Sequence, residues 1–389
     1  MSRSTRAHAV AALFLTGFIG LTVLPGILEA GEEPARQFFL SIRSLRKGIK
    51  AGDPIPMEFA ITNTGKAAYT YMERNYDRSG RMPEYELHAT DAGGKVVPDP
   101  RASWPGGPGG GLSTDGTLAP GASFTKTIDL NRWALVTKPG RYEVVGVYHP
   151  HVFRQPGVAP VRSHPITITV DPRSDAEMNA YILSLSMQLA TAKGERRKEL
   201  VRRLMYTRQE RIVPVLVESM YAEGDGFWEA EAFIYYLPRS EKVTEALYGA
   251  ALARGMTTPM PYIFNRWGLE AAKMRPLVAA SLASDRPPAW AAGALLAHQF
   301  PDDRLVPRLI QLATDKASGA WEQAIFALAL HRTHEGVATL KRLLEGPDQR
   351  VRDRVRYAVR VAYTSRGNAG GRPLEPGDFP EDLQRPESE

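Results

Sequence analysis

The chain has 389 residues, 43% hydrophobic and 24% charged, which is ordinary for globular protein and too apolar for a chain that stays unfolded. That length suits two or three domains, each with its own core. A formal charge of +6 is too weak for a dedicated nucleic-acid binder, and the absence of cysteine excludes a disulfide framework and a lipid-modified cysteine.

Residues 1–30 read as an export signal: Arg3 and Arg6 precede an uncharged apolar run from Ala9 to Leu24, Pro25 and Gly26 break the helix, and Ala30 ends a cleavage site before Gly31. Left uncleaved, the same run approaches the roughly 20 residues that span a bilayer, so a signal anchor is the alternative. The expected location is periplasmic or extracellular, with membrane association only through an uncleaved signal.

From 36 to 172 apolar and polar residues alternate at period two between glycine, proline and aspartate clusters, which predicts an all-β domain. Strands are expected over 38–45, 55–63, 68–72, 85–90, 123–130, 142–148 and 166–170. In the second, Met57, Phe59 and Ile61 share a face; in the fifth, Phe124, Ile128 and Leu130 form the expected buried set. The stretch Lys138-Pro139-Gly140-Arg141-Tyr142 and the turn at Asn63-Thr64-Gly65 resemble elements of immunoglobulin-like and fibronectin-like domains. The resemblance implies a β-sandwich in which the Tyr142 hydroxyl bonds back to nearby backbone.

Two stretches, 74–84 and 98–117, read as surface loops. Arg74, Arg78 and Arg81 beside Tyr76, with Trp104 in the second loop, are candidate binding residues, because guanidinium and aromatic groups together hold acidic or planar ligands. His149 and His151 sit at strand spacing, with His164 nearby, but Pro150 and the lack of a carboxylate or cysteine ligand argue against a metal site.

After Pro172 the spacing becomes helical, and Ser174 with Glu177 fits a capping box. From Thr207 a period of about 31 residues emerges. Leu216, Leu247, Val278, Leu309 and Leu340 form one column; Met220, Ala251, Leu282, Ala313 and Leu344 form another four residues on. Pro214, Pro276 and Pro307 are placed as helix starts. Ile234, Leu296, Ala327 and Ala358 share a column of the second helices, and Trp228, Trp290 and Trp321 another. This pattern resembles the short HEAT-like repeats of the phycobilisome-lyase type, most closely at Asp348, Val351, Arg352, Val355 and Ala358, whereas Trp290 and Trp321 stand at the family's arginine position. The resemblance implies an α-α solenoid over 175–363 that binds other proteins or peptides.

The tryptophan column and the basic stripe through Arg352 and Arg356 are further candidate contacts, though both also suit packing or a solvated array end. Residues 365–389, rich in proline, glycine and charge, are expected to be disordered. No nucleophile elbow, zinc helix, phosphate loop or dinucleotide fingerprint appears, so no catalytic residue, cofactor or metal is expected. The expected function is that of an exported, non-catalytic interaction scaffold, immunoglobulin-like β-sandwich followed by HEAT-like solenoid, binding a protein or peptide. The alternatives are an accessory protein for acidic polysaccharide or cell wall, and an inhibitor or regulator of a hydrolase.

Overall fold

The computed structural model describes residues 38–74, 81–82, 84–102, 113–150, 159–222, 226–364, 374 and 377–384. The expected signal, Tyr76, Arg78, Trp104 and His151 lie outside them, as does most of the expected disordered tail.

Most of the strands form where alternation gives a segment one apolar face to turn away from water. In chain order these are β1 (Phe38–Ser44), β2 (Ile49–Lys50), β3 (Pro56–Asn63), β4 (Tyr69–Arg74), β5 (Tyr85–Asp91), β6 (Ser113–Leu118), β7 (Ser123–Asp129), β8 (Gly140–Tyr148), β9 (Val161–Arg162) and β10 (Ile166–Asp171). One sheet runs β1-β3-β7, another β2-β10-β8-β5 with β9 also on β8, and β4 pairs with β6. All pairings are antiparallel except β2 with β10. Register places Leu40 opposite Ile61, Ile42 opposite Phe59 and Met57 opposite Ile128, so the buried rows of neighbouring strands align.

The inward rows of both larger sheets, Leu40, Met57, Phe59 and Ile61 from one and Leu87, Val144, Ile168 and Val170 from the other, meet in one apolar core. Gly146 sets how closely they approach, since a Cβ there would lie 2.6 Å from Ile42 Cγ2 and 3.0 Å from the Phe59 ring. The Tyr142 hydroxyl donates to the Lys138 carbonyl at 2.8 Å, as the turn sequence implied. Of the residues expected to be buried on β7, Ile128 and Leu130 are buried and Phe124 is half-buried.

One expectation is corrected here. The end of the expected loop at 98–117 is β6, and β4 continues through Arg74, paired with Ser113. Gly116 makes that pairing possible, because a Cβ would stand 2.4 Å from the Tyr71 ring.

The helical region is α1 (Asp175–Leu189), α2 (Gly194–Thr207), α3 (Val213–Tyr221), α4 (Phe227–Glu231), α5 (Glu241–Arg254), α6 (Met260–Trp267), α7 (Ala271–Ala283), α8 (Pro287–Ala297), α9 (Val306–Thr314), α10 (Trp321–His331), α11 (His334–Glu345), α12 (Gln349–Thr364) and α13 (Glu381–Gln384). Ser174 caps α1 through the reciprocal bonds of a capping box with Glu177. Several helices touch the one two places on: α3 with α5, α5 with α7, α6 with α8, α8 with α10 and α10 with α12. All five residues of the Leu216 column are buried, and so are those of the Met220 column except half-buried Leu344 in α11.

Two details differ from the spacing. Pro276 does not start α7 but sits inside it, because the helix begins a turn earlier, after Glu270. Ile234 is only half-buried, since α4 runs on as a π-helix over Ala232–Tyr236 and the wider turn carries Phe233 and Tyr236 inward instead. Within the tail, Phe379 and Leu383 are buried against the helical core beside α12, with Leu374 packed on them, so a few apolar residues there order a short helix despite the surrounding prolines.

Candidate functional site

The β and helical regions meet through buried charges. Asp53, in the turn after β2, is 2% exposed and accepts from Arg173 at 2.7 Å while Arg46 lies at 3.1 Å. Arg173, between β10 and α1, also lies 4.0 Å over the Tyr181 ring of α1 and donates to the Ala51 carbonyl at 3.1 Å. Nearer the surface, Lys50 meets Glu177 at 2.6 Å, and this bond together with the capping-box bonds holds the Glu177 carboxyl down to about 2.

Glu231, at the end of α4, forms the second link. Its carboxylate is 2% exposed and accepts from Arg101 at 2.7 Å and from Arg132 at 3.4 Å. Both arginines belong to the β region, and both are buried. Burial works to lower the Arg132 value, but Glu231 and the neighbouring Tyr206, Tyr236 and Asp129 raise it overall, so this guanidinium stays charged. Burial first, and then the nearby carboxylates of Asp129 and Glu231, push the Tyr206 phenol up; burial and Glu231 do the same to Tyr236, and the two rings pack 5.6 Å apart beneath the network.

Aromatic faces complete the junction. Arg101 lies over Tyr235 at 4.9 Å, Arg132 over Trp228 at 5.6 Å and Arg81 over Trp133 at 4.5 Å. Arg81 also forms a fork with Asp99, bonding Oδ2 at 2.9 Å, and donates to the Arg132 carbonyl. Behind α4, Glu229 is held by Arg197 at 2.7 Å and by the Ser219 hydroxyl at 2.6 Å.

Two adjoining clefts open along this junction. One, of about 230 Å³, is walled by Arg46, Pro54, Pro56, Glu199, Arg203 and Tyr206; the other, of about 280 Å³, by Arg81, Met82, Arg132 and Trp133. Asp129 of β7 and Arg202 of α2 line both. The Tyr206 hydroxyl donates to Asp129 at 3.3 Å. The other cleft arginines each face a carboxylate: Arg46 with Asp53, Arg81 with Asp99, Arg132 with Glu231 and Arg203 with Glu199 at 3.7 Å. Half-buried Arg202 has no carboxylate within ion-pair distance among the described residues, although its charge helps to lower the Glu195 carboxyl; it lies 5.6 Å over the Trp228 ring and reaches the Lys198 carbonyl at 3.4 Å.

Of the candidates named from sequence, Arg81 and Trp228 come together at this junction through Arg132. The backbone of Arg74 ends β4. Trp290 is half-buried, bonds the Ser284 carbonyl through its indole nitrogen and carries Arg308 at 4.8 Å; Trp321 is buried, with Arg350 at 5.3 Å. Arg352 bonds the Gly346 carbonyl and Gln349, and Arg356 pairs with Asp353 at 3.2 Å, within the last long helix. His149 lies 3.2 Å from Glu86, and His164 is exposed. Among the described residues no group of three His, Asp or Glu side chains is placed to hold a metal ion.

Sequence reasoning did not single out Asp53, Arg101, Asp129, Arg132, Arg173, Arg202 or Glu231. A signal existed for one: in Phe227-Trp228-Glu229-Ala230-Glu231-Ala232-Phe233 two carboxylates interrupt an apolar run, which demands buried cationic partners. No protein-family model matches the sequence, and no curated protein matches it significantly.

Proposed function

We propose that this chain is an exported, non-catalytic binding protein in which an immunoglobulin-like β-sandwich and a HEAT-like solenoid act as one body and hold a protein or peptide partner on their joint surface. The observation that carries this reading is the double ion pair of Glu231 with Arg101 and Arg132, because a buried carboxylate shared between two regions ties them in one orientation. Loops of the first region and helices of the second then present a surface formed before the partner arrives, which lowers the entropy lost on binding. Extended faces of stacked helix pairs suit proteins and peptides as ligands.

Lysine-directed crosslinking of the full chain in its native envelope, read by mass spectrometry, tests the proposal. Exposed Lys95 in the β region and exposed Lys273 in the helical region are expected to crosslink to the same protein. Crosslinks from only one region, or to unrelated proteins from each, would count against a joint surface.

A further inference from the structure

We infer that the paired clefts at the β–helical junction take an acidic side chain of a peptide, with Arg202 as the residue that grips its carboxylate. This rests on the partner-binding reading above and names the chemistry of the partner. Arg202 lines both clefts, is half-buried, and is the cleft arginine with no carboxylate within ion-pair distance among the described residues, Glu195 feeling its charge only from farther away. A guanidinium held over an indole face and lining a cleft is suited to a planar bidentate acceptor. Asp53 and Glu231, which balance two of the other arginines, are buried, so the carboxylates on the cleft walls are those of Asp129 and Glu199, set against five arginines.

Two further observations choose peptide over acidic polysaccharide. Sugar rings bind by stacking on free aromatic faces, but here Trp133 carries Arg81, and Trp228 carries Arg132, Lys198 and Arg202. The remaining walls, Pro54, Pro56, Met82 and Ile128, suit the aliphatic stem of a side chain. Asp129, on the wall common to both clefts, accepts hydrogen bonds and fits a backbone N–H of the same peptide. Clefts of about 230 and 280 Å³ accommodate one or two side chains, not an oligosaccharide.

The test is a titration of the purified full chain at low ionic strength with acetylated hexaglutamate, with acetylated hexaglutamine and tetragalacturonate as the other arms. Anisotropy gives the affinity, and the Trp228 indole N–H resonance reports occupancy beside Arg202. Hexaglutamate is expected to bind saturably and move the Trp228 resonance. Arg202→Gln is expected to weaken it about tenfold or more, the loss of a charge-assisted fork. Arg202→Lys, which keeps a cation over the indole, is expected to bind more weakly than the parent because the fork is gone, with an unchanged thermal midpoint. Equal affinity in the parent and both variants, equal binding of hexaglutamine, tighter binding of tetragalacturonate, or no saturable hexaglutamate binding would each overturn the inference. None of these outcomes touches the crosslinking result, so failure of the anion site is separable from failure of the joint surface.

Discussion

Replacing Glu231 with alanine leaves the Arg101 and Arg132 guanidinium groups in place, 4% and 8% exposed, with their shared carboxylate gone. Neither can turn freely to water: Arg101 is stacked on Tyr235, and Arg132 on Trp228 with its carbonyl held by Arg81. Breaking a buried pair while its partner remains typically costs about 3–5 kcal/mol, and here both guanidinium groups stay out of solvent with the charge of Glu231 removed. Against the roughly 5–15 kcal/mol by which domains are stable, that is a large share. Urea unfolding followed by tryptophan fluorescence is the assay, since Trp133 and Trp228 lie on the two sides of the junction and both report its opening. Glu231→Ala is expected to lose about 3–5 kcal/mol, and adding Arg101→Ala is expected to cost less than the sum of the single changes by at least about 1 kcal/mol. Replacing Glu231, Arg101 and Arg132 together by apolar residues of similar volume is expected to be close to neutral. A Glu231→Ala chain within about 0.5 kcal/mol of the parent, or additive single changes, would refute the ion-pair reasoning.

Gly146→Ala forces a methyl against Ile42 and Phe59 in the buried sheet interface and is expected to cost about 1–3 kcal/mol in the same urea assay; a neutral result would mean that the sheets can separate there without loss. His298 and His331 predict an acid-side loss. Burial pushes both imidazoles below their ordinary value, with the neighbouring His331 charge adding to the effect on His298. Above about pH 6.5 neither folded nor unfolded chain protonates them, but below it the unfolded chain takes up protons that the folded chain refuses, so stability falls as pH falls. Thermal midpoints are expected to be level from about pH 8 to 7, to drop between about 6.5 and 5.5, and to drop less in His331→Gln. Glu177 and Asp302, whose carboxyls are held down to about 2, contribute a separate loss only as the pH falls below about 5. An unchanged midpoint across the upper window would refute the histidine assignment.

The elements with strong periodicity were legible in the sequence. Alternation located β1, β3, β4, β5, β7, β8 and β10, and the in-step columns marked the buried face of α3, α5, α7, α9 and α11. β2 and β9 span two residues each, too short for any period to register. β6 escaped because Ser113-Thr114-Asp115-Gly116-Thr117-Leu118 carries a single large apolar residue, and it pairs by virtue of a glycine that admits Tyr71. The π-helix after α4 shifts a buried column by one position, a change of backbone that residue type does not announce. The junction was the least legible part. Arg101 and Glu231 are 130 residues apart and share no repeat, so the apolar run around Glu231 asks for a buried cation while nothing in the sequence points to Arg101 as that cation. Only folding turns a basic helix face and a loop into opposing walls, and only the pairing of the other arginines distinguishes Arg202 from its neighbours Arg196, Arg197 and Arg203.

Whether the β and helical regions behave as one body is measured most directly by scanning calorimetry of the full chain. Coupling through Asp53 and Glu231 predicts one cooperative transition whose calorimetric and van't Hoff enthalpies agree, and its division into two transitions in Glu231→Ala. Two well-separated transitions in the unaltered chain, unmoved by that substitution, would contradict it.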